Sequence, residues 1–321
     1  MMFNSFNKAL FKNTKSFSSF LASIPSWMIS GNRIQGGDDA QAPIPWQVAV
    51  RRNGGKNCGG TIIDAKTIVT AAHCIPWQWT QLDVAAGSTN YNQFPQVIFP
   101  PHDSIVSSMK HSFQVKQIEA VLFNQEFPYN ANRIKYDIAL LKLSSPLEFN
   151  DDVKPACMPT VEISSIAYSN DDCYISGWGR SSNYDIFNRN VYVMFNYFLF
   201  CLGLTAEFES PTELQWIKGK AMSLNDCLNT NWGSKGWKIP SEDNVCFRNN
   251  YENNESACKG DSGGPLVCNV NGKAVLLGAT SHGSIGWPCV DDGFPNIYAR
   301  VGFFLSWIKE NMVDEIIWSS V

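Results

Sequence analysis

The sequence predicts an all-β fold, a barrel or a sandwich, with one helix near the carboxyl end. Residues 34–160 contain short apolar runs between glycine, proline and asparagine residues, at 46–50, 61–71 and 138–143. Residues 172–310 repeat the pattern, with runs at 173–177, 264–267, 274–279 and 297–301. Runs of this length suit strands better than helices, and many short strands separated by turns form barrels or sandwiches.

The helix is predicted from the spacing of apolar residues at 303–308. Positions i, i+1, i+4 and i+5 give a turn or two of helix one apolar face, and here they are Phe303, Phe304, Trp307 and Ile308. Two other segments fit no element. Residues 191–204 are almost wholly apolar, but they are fewer than the roughly 20 that a membrane span needs. Residues 93–124 form a long connection without turn signals, and loops beyond about 12–15 residues are uncommon in compact domains.

Composition excludes several classes of protein. Of the 321 residues, 44% are hydrophobic and 17% are charged, which suits a substantial core and argues against a disordered chain or a coiled coil. The net charge is −4, and residues 1–33 carry four cations and no acid. The rest of the chain has 21 cations and 29 anions. No basic stripe is present, so we do not expect a nucleic-acid partner.

Ten cysteines are more than a cytosolic enzyme of this size usually carries. There is no CxxC pair and there are only four histidines, so disulfides are expected rather than a zinc site. Residues 1–33 lack the unbroken apolar run of a secretory signal and look nearer to a transit peptide. We give the cysteines more weight and predict a secreted, extracellular protein with an atypical leader.

Three short segments carry groups suited to acyl transfer: VTAAHC at 69–74, YDIALLKL at 136–143 and CKGDSGGPL at 258–266. The hydroxyl of Ser262 is a poor nucleophile until an imidazole, here His73, takes its proton. A carboxylate, here Asp137, fixes the tautomer of the imidazole and stabilises the imidazolium. Each residue alone has an ordinary interpretation as a packed histidine, a turn aspartate or a turn serine. The three together are hard to explain by chance.

The glycines around Ser262 indicate a tight turn that points backbone N–H groups outward. They are Gly260, Gly263 and Gly264. The N–H groups of Gly260 and Ser262 could then bind the oxyanion of a tetrahedral intermediate, and the loss of one such donor typically lowers the rate about 100- to 1000-fold.

These segments closely resemble those of the chymotrypsin-like serine proteases, from Ile34 to about Met312 apart from the two segments without an assignment. The resemblance implies two six-stranded antiparallel Greek-key β-barrels and a C-terminal α-helix, with the active site in the cleft between the barrels. It makes His73, Asp137 and Ser262 the catalytic triad. The implied function is a secreted serine endopeptidase that forms an acyl-enzyme, closest to the chymotrypsin and elastase-2 branch.

Activation by proteolysis is also implied by the resemblance. RIQGG at 33–37 resembles the family's activation junction, where a trypsin-like protease would cut after Arg33. The new ammonium of Ile34 would then pair with Asp261 and order the oxyanion turn and the specificity pocket. This divides the chain into a leader and propeptide at 1–33, a protease domain at 34–312 with an atypical insert around 183–209, and a tail at 313–321.

The resemblance pairs eight of the cysteines. The pairs are Cys58–Cys74, Cys173–Cys268, Cys227–Cys246 and Cys258–Cys289. In many relatives the cysteine that matches Cys157 holds the cleaved propeptide, but residues 1–33 contain no cysteine. Either Cys157 pairs with Cys201 or neither has a disulfide.

One hypothesis explains three departures from the family together: the atypical leader, the missing propeptide cysteine and the apolar run at 191–204. The chain would come from a gene model with a wrong first exon and retained non-coding sequence. A transcript that encodes 191–204 in full would contradict this. The competing interpretation is a genuine loop that contacts a membrane or a partner.

The resemblance places Ser256 at the base of the specificity pocket, where a carboxylate would select Arg or Lys, so a trypsin-like preference is not expected. Gly283 matches a wall position that must be small, and Asn296 matches a lining position, where it should shorten the pocket. Ser281 should hydrogen-bond toward Asp137 and, with Gly283, offer backbone to the substrate. We predict cleavage after Leu, Met, Phe or Tyr.

No metal or cofactor is expected, because the chemistry needs none. Residues 86–92, at the calcium loop of some relatives, contain no carboxylate. The expected partners are protein or peptide substrates, an activating trypsin-like protease and protease inhibitors, with no membrane, and the chain should be monomeric. The main alternative is a catalytically inactive, protease-like binding protein. Such relatives usually lack a triad residue, and this chain keeps all three.

Overall fold

The computed structural model describes residues 21–30, 38–76, 79–95, 113–124, 126–127, 135–160, 172–180, 211–234, 240–248, 256–283, 289 and 294–312. Its thirteen strands are β1 (Asp38–Asp39), β2 (Gln47–Arg52), β3 (Gly55–Ile62), β4 (Thr67–Thr70), β5 (Leu82–Ala86), β6 (Gln114–Phe123), β7 (Ala139–Leu143), β8 (Cys173–Gly177), β9 (Gln215–Met222), β10 (Asn244–Arg248), β11 (Pro265–Val270), β12 (Lys273–His282) and β13 (Asn296–Arg300). The α-helices of these residues are α1 (Ser26–Ser30), α2 (Leu224–Leu228) and α3 (Leu305–Glu310).

The first barrel closes in the order β2-β3-β4-β7-β6-β5, with β5 paired to β2 and every pair antiparallel. Because β5 returns to lie beside β2 after β3 and β4, the first four strands form a Greek key. The interior is filled by branched aliphatic side chains, which suit a pleated surface. They include Val48, Val50, Ile62, Ile68, Val84 and Leu141.

The second barrel repeats this topology in the order β8-β9-β10-β13-β12-β11, and β11 pairs with β8 to close it. Strand β1 adds to the outside through β9. The interior is again apolar, with Ile175, Ile217, Phe247, Leu266, Leu277 and Tyr298 among its buried residues. The expected fold of two six-stranded barrels with a C-terminal helix is confirmed, and the sandwich is excluded.

Each barrel contains a hairpin that turns on an Asn-Gly pair. Asn53 and Gly54 join β2 to β3 with φ of 50° and 75°. Asn271 and Gly272 join β11 to β12 with φ of 51° and 81°. Two successive residues of positive φ form the turn whose twist matches that of the flanking strands, and Asn-Gly is the preferred sequence for it.

Two details differ from the sequence predictions. Strand β6 lies inside residues 93–124, which showed no recognisable signal, because most of its side chains are half-buried and do not alternate clearly. At the C terminus, α3 begins at Leu305, so Phe303 precedes the helix and is 42% exposed. The buried face consists of Phe304, Leu305 and Ile308.

Among the described residues there are four disulfides, and they join the same cysteines that the resemblance pairs. Cys157 is buried. Cys201, the insert at 183–209, the activation residues Arg33 and Ile34 and the tail at 313–321 lie outside the described residues. Within the described ranges, no helix has the length and apolar character to cross a membrane.

The barrels meet along a line that we call the barrel seam, made of Gln47, Gly59, Ser176 and Gly264, where backbones approach closely and side chains hydrogen-bond. The N–H of Gly59 donates to the carbonyl of Ser262 at 2.8 Å. A Cβ on Gly59 would lie 2.9 Å from the Cα of Gly264, closer than side chains are found in proteins. The hydroxyl of Ser176 donates to the amide oxygen of Gln47 at 2.7 Å.

Candidate active site

His73 and Asp137 come together at the rim of the first barrel, beside the seam. A short 3-10 turn, Ala72–Cys74, follows β4 and is tied to β3 by the disulfide between Cys58 and Cys74. The N–H of His73 donates to Oδ1 of Asp137 at 2.9 Å, and its Nδ1 lies 2.7 Å from Oδ2. Because a carboxylate only accepts, Nδ1 carries a proton and Nε2 is the basic nitrogen.

The second barrel also holds Asp137. Ser281 on β12 donates to Oδ2 of Asp137 at 2.6 Å. Burial raises the pKa of Asp137, but the hydrogen bonds and charge of His73, with the bond from Ser281, outweigh burial and leave the pKa below its usual range. Asp137 therefore stays ionised at neutral pH and orients the ring of His73.

The turn before Asp137 depends on a residue that the sequence analysis missed. Tyr136 has a φ of 54°, which is unfavourable for a side chain of its size. Its N–H donates to Oδ2 of Asp243, just before β10, at 2.8 Å. Asp243 thus contacts the turn from the second barrel. Nothing in its sequence neighbourhood marks this role, because the partners are 107 positions apart.

Ser262 lies in a compact turn between Cys258 and β11. Gly263 has a φ of 74°, and a Cβ there would collide with Oγ1 of Thr70. The N–H groups of Asp261, Gly263 and Gly264 donate to backbone carbonyls. In the described part of the chain no acceptor is found for the N–H groups of Gly260 and Ser262, the two donors expected for an oxyanion.

Asp261 faces inward from the same turn. Its carboxylate accepts from the N–H of Gly179 at 2.8 Å and from that of Cys258 at 2.9 Å. Burial nevertheless raises its pKa to about 6, since two neutral donors and the more distant charge of Lys56 do not offset the loss of water. The carboxylate borders a cavity of about 30 Å³, which Trp216 also lines.

Comparison with known proteins identifies the family of this fold and site. The profile of the family described as Trypsin matches residues 34–195 and 198–308. The chain belongs to the trypsin family. It is thus a chymotrypsin-like serine protease, a hydrolase of peptide bonds, as its motifs indicated.

Three relatives show how evenly the similarity covers this protease. Trypsin alpha of Drosophila melanogaster is 30% identical over 281 residues, 87% of this chain and 87% of its own length. Coagulation factor IX of Cavia porcellus is 29% identical over 276 residues, 86% of this chain and 80% of its own length. Kallikrein 1-related peptidase b8 of Mus musculus is 29% identical over 283 residues, 88% and 90% of the two lengths.

The residues expected to line the pocket of this protease lie together. Ser256 and Asn296 are both buried, and Oγ of Ser256 lies 3.1 Å from Oδ1 of Asn296. The same oxygen accepts from the N–H of Ala257 at 3.2 Å. A Cβ on Gly283 would lie 2.7 Å from Nδ2 of Asn296. The carboxamide of Asn296 therefore reaches from Ser256 to the backbone of Gly283.

His282 packs against an aromatic pair that the sequence analysis did not single out. Its ring centroid lies 5.8 Å from that of Trp232 in an edge-on arrangement. Trp232 in turn contacts Phe294 edge-on at 5.0 Å and donates its N–H to the carbonyl of Pro295. Trp232 stands far from any recognisable motif, so no sequence pattern indicates that it packs against His282.

One group of side chains that includes His73 has the residue types of a metal site. The ligand atoms of Cys58, His73 and Cys74 lie within 4.8 Å of one another. The two sulfurs are bonded to each other in a disulfide, so neither is the thiolate that binds a metal.

Proposed function

We propose that this protease is an endopeptidase that uses His73, Asp137 and Ser262 as its catalytic triad and forms an acyl-enzyme at Ser262. The observation that carries the proposal is the arrangement around Asp137. This buried, ionised carboxylate accepts from His73 in the first barrel and from Ser281 in the second, beside the turn that bears Ser262. Such a carboxylate keeps Nε2 of His73 available as a base.

In the proposed mechanism, Oγ of Ser262 attacks the scissile carbonyl carbon while Nε2 of His73 takes its proton. The carbonyl oxygen becomes an oxyanion and accepts from the N–H groups of Gly260 and Ser262. His73 then gives the proton to the departing amine, which leaves an ester on Ser262. Water, deprotonated by His73, attacks this ester, and His73 passes the proton to Oγ of Ser262 as the new carboxyl terminus leaves. Asp137 stabilises the imidazolium in both halves of the reaction.

The chain is further proposed to be made as a zymogen that a trypsin-like protease activates by cutting after Arg33. The state of Asp261 supports this. Its inward carboxylate, with a pKa raised to about 6, would be stabilised by a nearby cation. The new ammonium of Ile34 would supply that charge. Because Asp261 lies between Gly260 and Ser262, pairing it would also order the oxyanion turn.

The proposed preference is for Leu, Met, Phe or Tyr before the scissile bond. Ser256 offers no negative charge to select Arg or Lys, and Gly283 adds no side chain of its own to the wall. The carboxamide of Asn296 crosses part of the space and would favour medium-sized side chains over the largest. The number of disulfides supports secretion, and the expected partners are substrates, an activating protease and protease inhibitors of a monomeric domain spanning 34–312.

Labelling with a fluorophosphonate probe, before and after limited trypsin treatment, tests the proposal. Labelling that appears only after the cut at Arg33 and is absent from Ser262→Ala would support both the triad and the zymogen. A series of Leu, Met, Phe, Tyr and Arg substrates then reports the pocket. A folded, correctly cut chain that does not label would exclude the enzyme and favour the binding protein.

A further inference from the structure

Residues 21–30, which we call the anchor segment, pack into the core although they precede the proposed cut after Arg33. Four of the side chains are at most 9% exposed: Leu21, Ala22, Ile24 and Met28. Met28, on α1, is only 1% exposed. A leader that serves only for export has no need of such burial in the folded protein.

Backbone hydrogen bonds join the anchor segment to the second barrel and to the connection between β7 and β8. The N–H of Ala22 donates to the carbonyl of Pro155 at 3.0 Å, and the carbonyl of Ala22 accepts from the N–H of Ala274 at 3.1 Å. Ser23 forms an antiparallel bridge with Lys273, the first residue of β12. The segment therefore lies like a short added strand between residue 155 and the start of β12.

Side-chain contacts extend this attachment toward Asp261. Leu21 belongs to the same buried cluster as Cys157, and Met28 belongs to the main core cluster. The ring of Trp27 meets that of Trp216 edge-on, with centroids 5.8 Å apart. Trp216 lines the cavity beside the carboxylate of Asp261. The anchor segment thus contacts a wall of the site where the proposed ammonium of Ile34 would bind.

Residues 1–33 contain no cysteine, so none of them forms a disulfide to the barrel. We propose that the anchor segment stays bound after the cut at Arg33, held to the second barrel and to the connection before β8 by apolar packing and two backbone hydrogen bonds. The inference rests on the proposed activation cut. The active protease is then a noncovalent complex of two chains. Loss of the peptide would expose the buried cluster around Cys157 and one face of Trp216.

The test uses the full chain carrying Ser262→Ala, so that it cannot digest itself, treated with limited trypsin. Denaturing gels and mass spectrometry report the cut, and native gel filtration reports whether the peptide containing 21–30 elutes with the body. A second form, with residues 31–33 replaced by an enteropeptidase sequence, secures the cut before Ile34 if trypsin does not make it. Co-elution in equal amounts, lost in denaturant without reducing agent, is expected.

Two matched variants of α1 establish the specificity of the contact. Met28→Ala should speed release of the peptide or weaken its binding by roughly 30-fold or more, because a buried methionine leaves a cavity. Ile29→Ala should change release little, because Ile29 is 52% exposed. Equal effects of the two variants, or a wild-type peptide that separates from the body under native conditions, would overturn the inference.

The amino terminus of the secreted zymogen provides an independent outcome. A secreted chain that begins after residue 30 would also overturn the inference, because the anchor segment would be removed before activation. Failure of the proposed function gives a different result. Suppose that a chain with Ser262 intact is cut before Ile34, keeps its peptide and takes no fluorophosphonate label. The anchor segment is then bound as inferred, and the proposed enzymatic activity is absent.

Discussion

Asn296→Gly should enlarge the specificity pocket and shift its preference from Leu toward Phe and Tyr. The carboxamide of Asn296 bonds with Ser256 at one end and approaches Gly283 at the other. Its removal frees the space of a few methylene-sized groups between base and wall. A methylene in such a pocket is worth about 1–3 kcal/mol, so the ratio of kcat/KM for Phe over Leu should rise about 10- to 200-fold.

The variant loses two hydrogen bonds to Oδ1 of Asn296, from Ser256 and from the N–H of Ala257. The loss of these bonds should destabilise the protein by about 1–3 kcal/mol in total. The cost is no larger because water can reach the freed groups once the side chain is gone. The assay compares activated wild type and variant on peptides that differ only in the residue before the scissile bond, with concentrations set by active-site titration.

Asn296→Asp is the matched control, because it keeps the shape of the side chain. The carboxylate keeps the size of the amide and accepts the same two donors, but it adds a negative charge to the pocket edge. The kcat/KM values for Leu and Phe substrates should fall by similar factors, whereas those for Arg and Lys substrates should rise. If the Phe/Leu ratio of a folded, titratable Asn296→Gly enzyme changes by less than about threefold, Asn296 does not limit the pocket and the reasoning fails.

Three further predictions follow from the site. Ser281→Ala removes one hydrogen bond to Asp137, so kcat should fall about tenfold and the acid limb of the pH–rate profile should move to higher pH; an unchanged profile would mean that Ser281 does not stabilise the ionised form. Gly263→Ala combines a φ of 74° with a collision against Thr70, and circular dichroism with probe labelling should find it unfolded or unlabelled. In the uncut chain, Asp261 has a folded-state pKa of about 6 against 3.8 when unfolded, so the folded state binds the proton more tightly and stability falls as pH rises through that window. The loss, about 3 kcal/mol at most, should lower Tm in the uncut Ser262→Ala chain and disappear after the cut, when the ammonium of Ile34 stabilises the charged form.

The strands that the sequence predicted are those with local signals. Short apolar runs between turn residues mark β2, β7 and β13, and each run overlaps a strand of the structure. Whether the strands form a sandwich or barrels depends on pairings such as that of β11 with β8, which no local sequence pattern indicates. Strand β6 was missed because half-buried side chains on both faces leave no alternation to recognise.

The candidate site also contains residues that the sequence predicts and residues that it does not. His73, Asp137 and Ser262 stand in short segments whose residue types indicate their chemistry. Asp243 and Trp232 act through partners far away in sequence, and neither stands in a recognisable motif. The packing of residues 21–30 was equally hidden, because a leader at an amino terminus is expected to be a targeting segment and not part of a core.

The barrel seam has a consequence for how this protease should respond to heat. His73 and Asp137 belong to one barrel and Ser262 and Ser281 to the other, and the barrels are joined by close backbone approaches, as at Gly59 and Gly264, and by individual hydrogen bonds rather than by a shared sheet. Each barrel can keep its own ladders while the other shifts. A misplacement of about 1 Å at the reacting groups can lower the rate about 100-fold. Warming should therefore inactivate the enzyme at temperatures at which its strands are still fully paired.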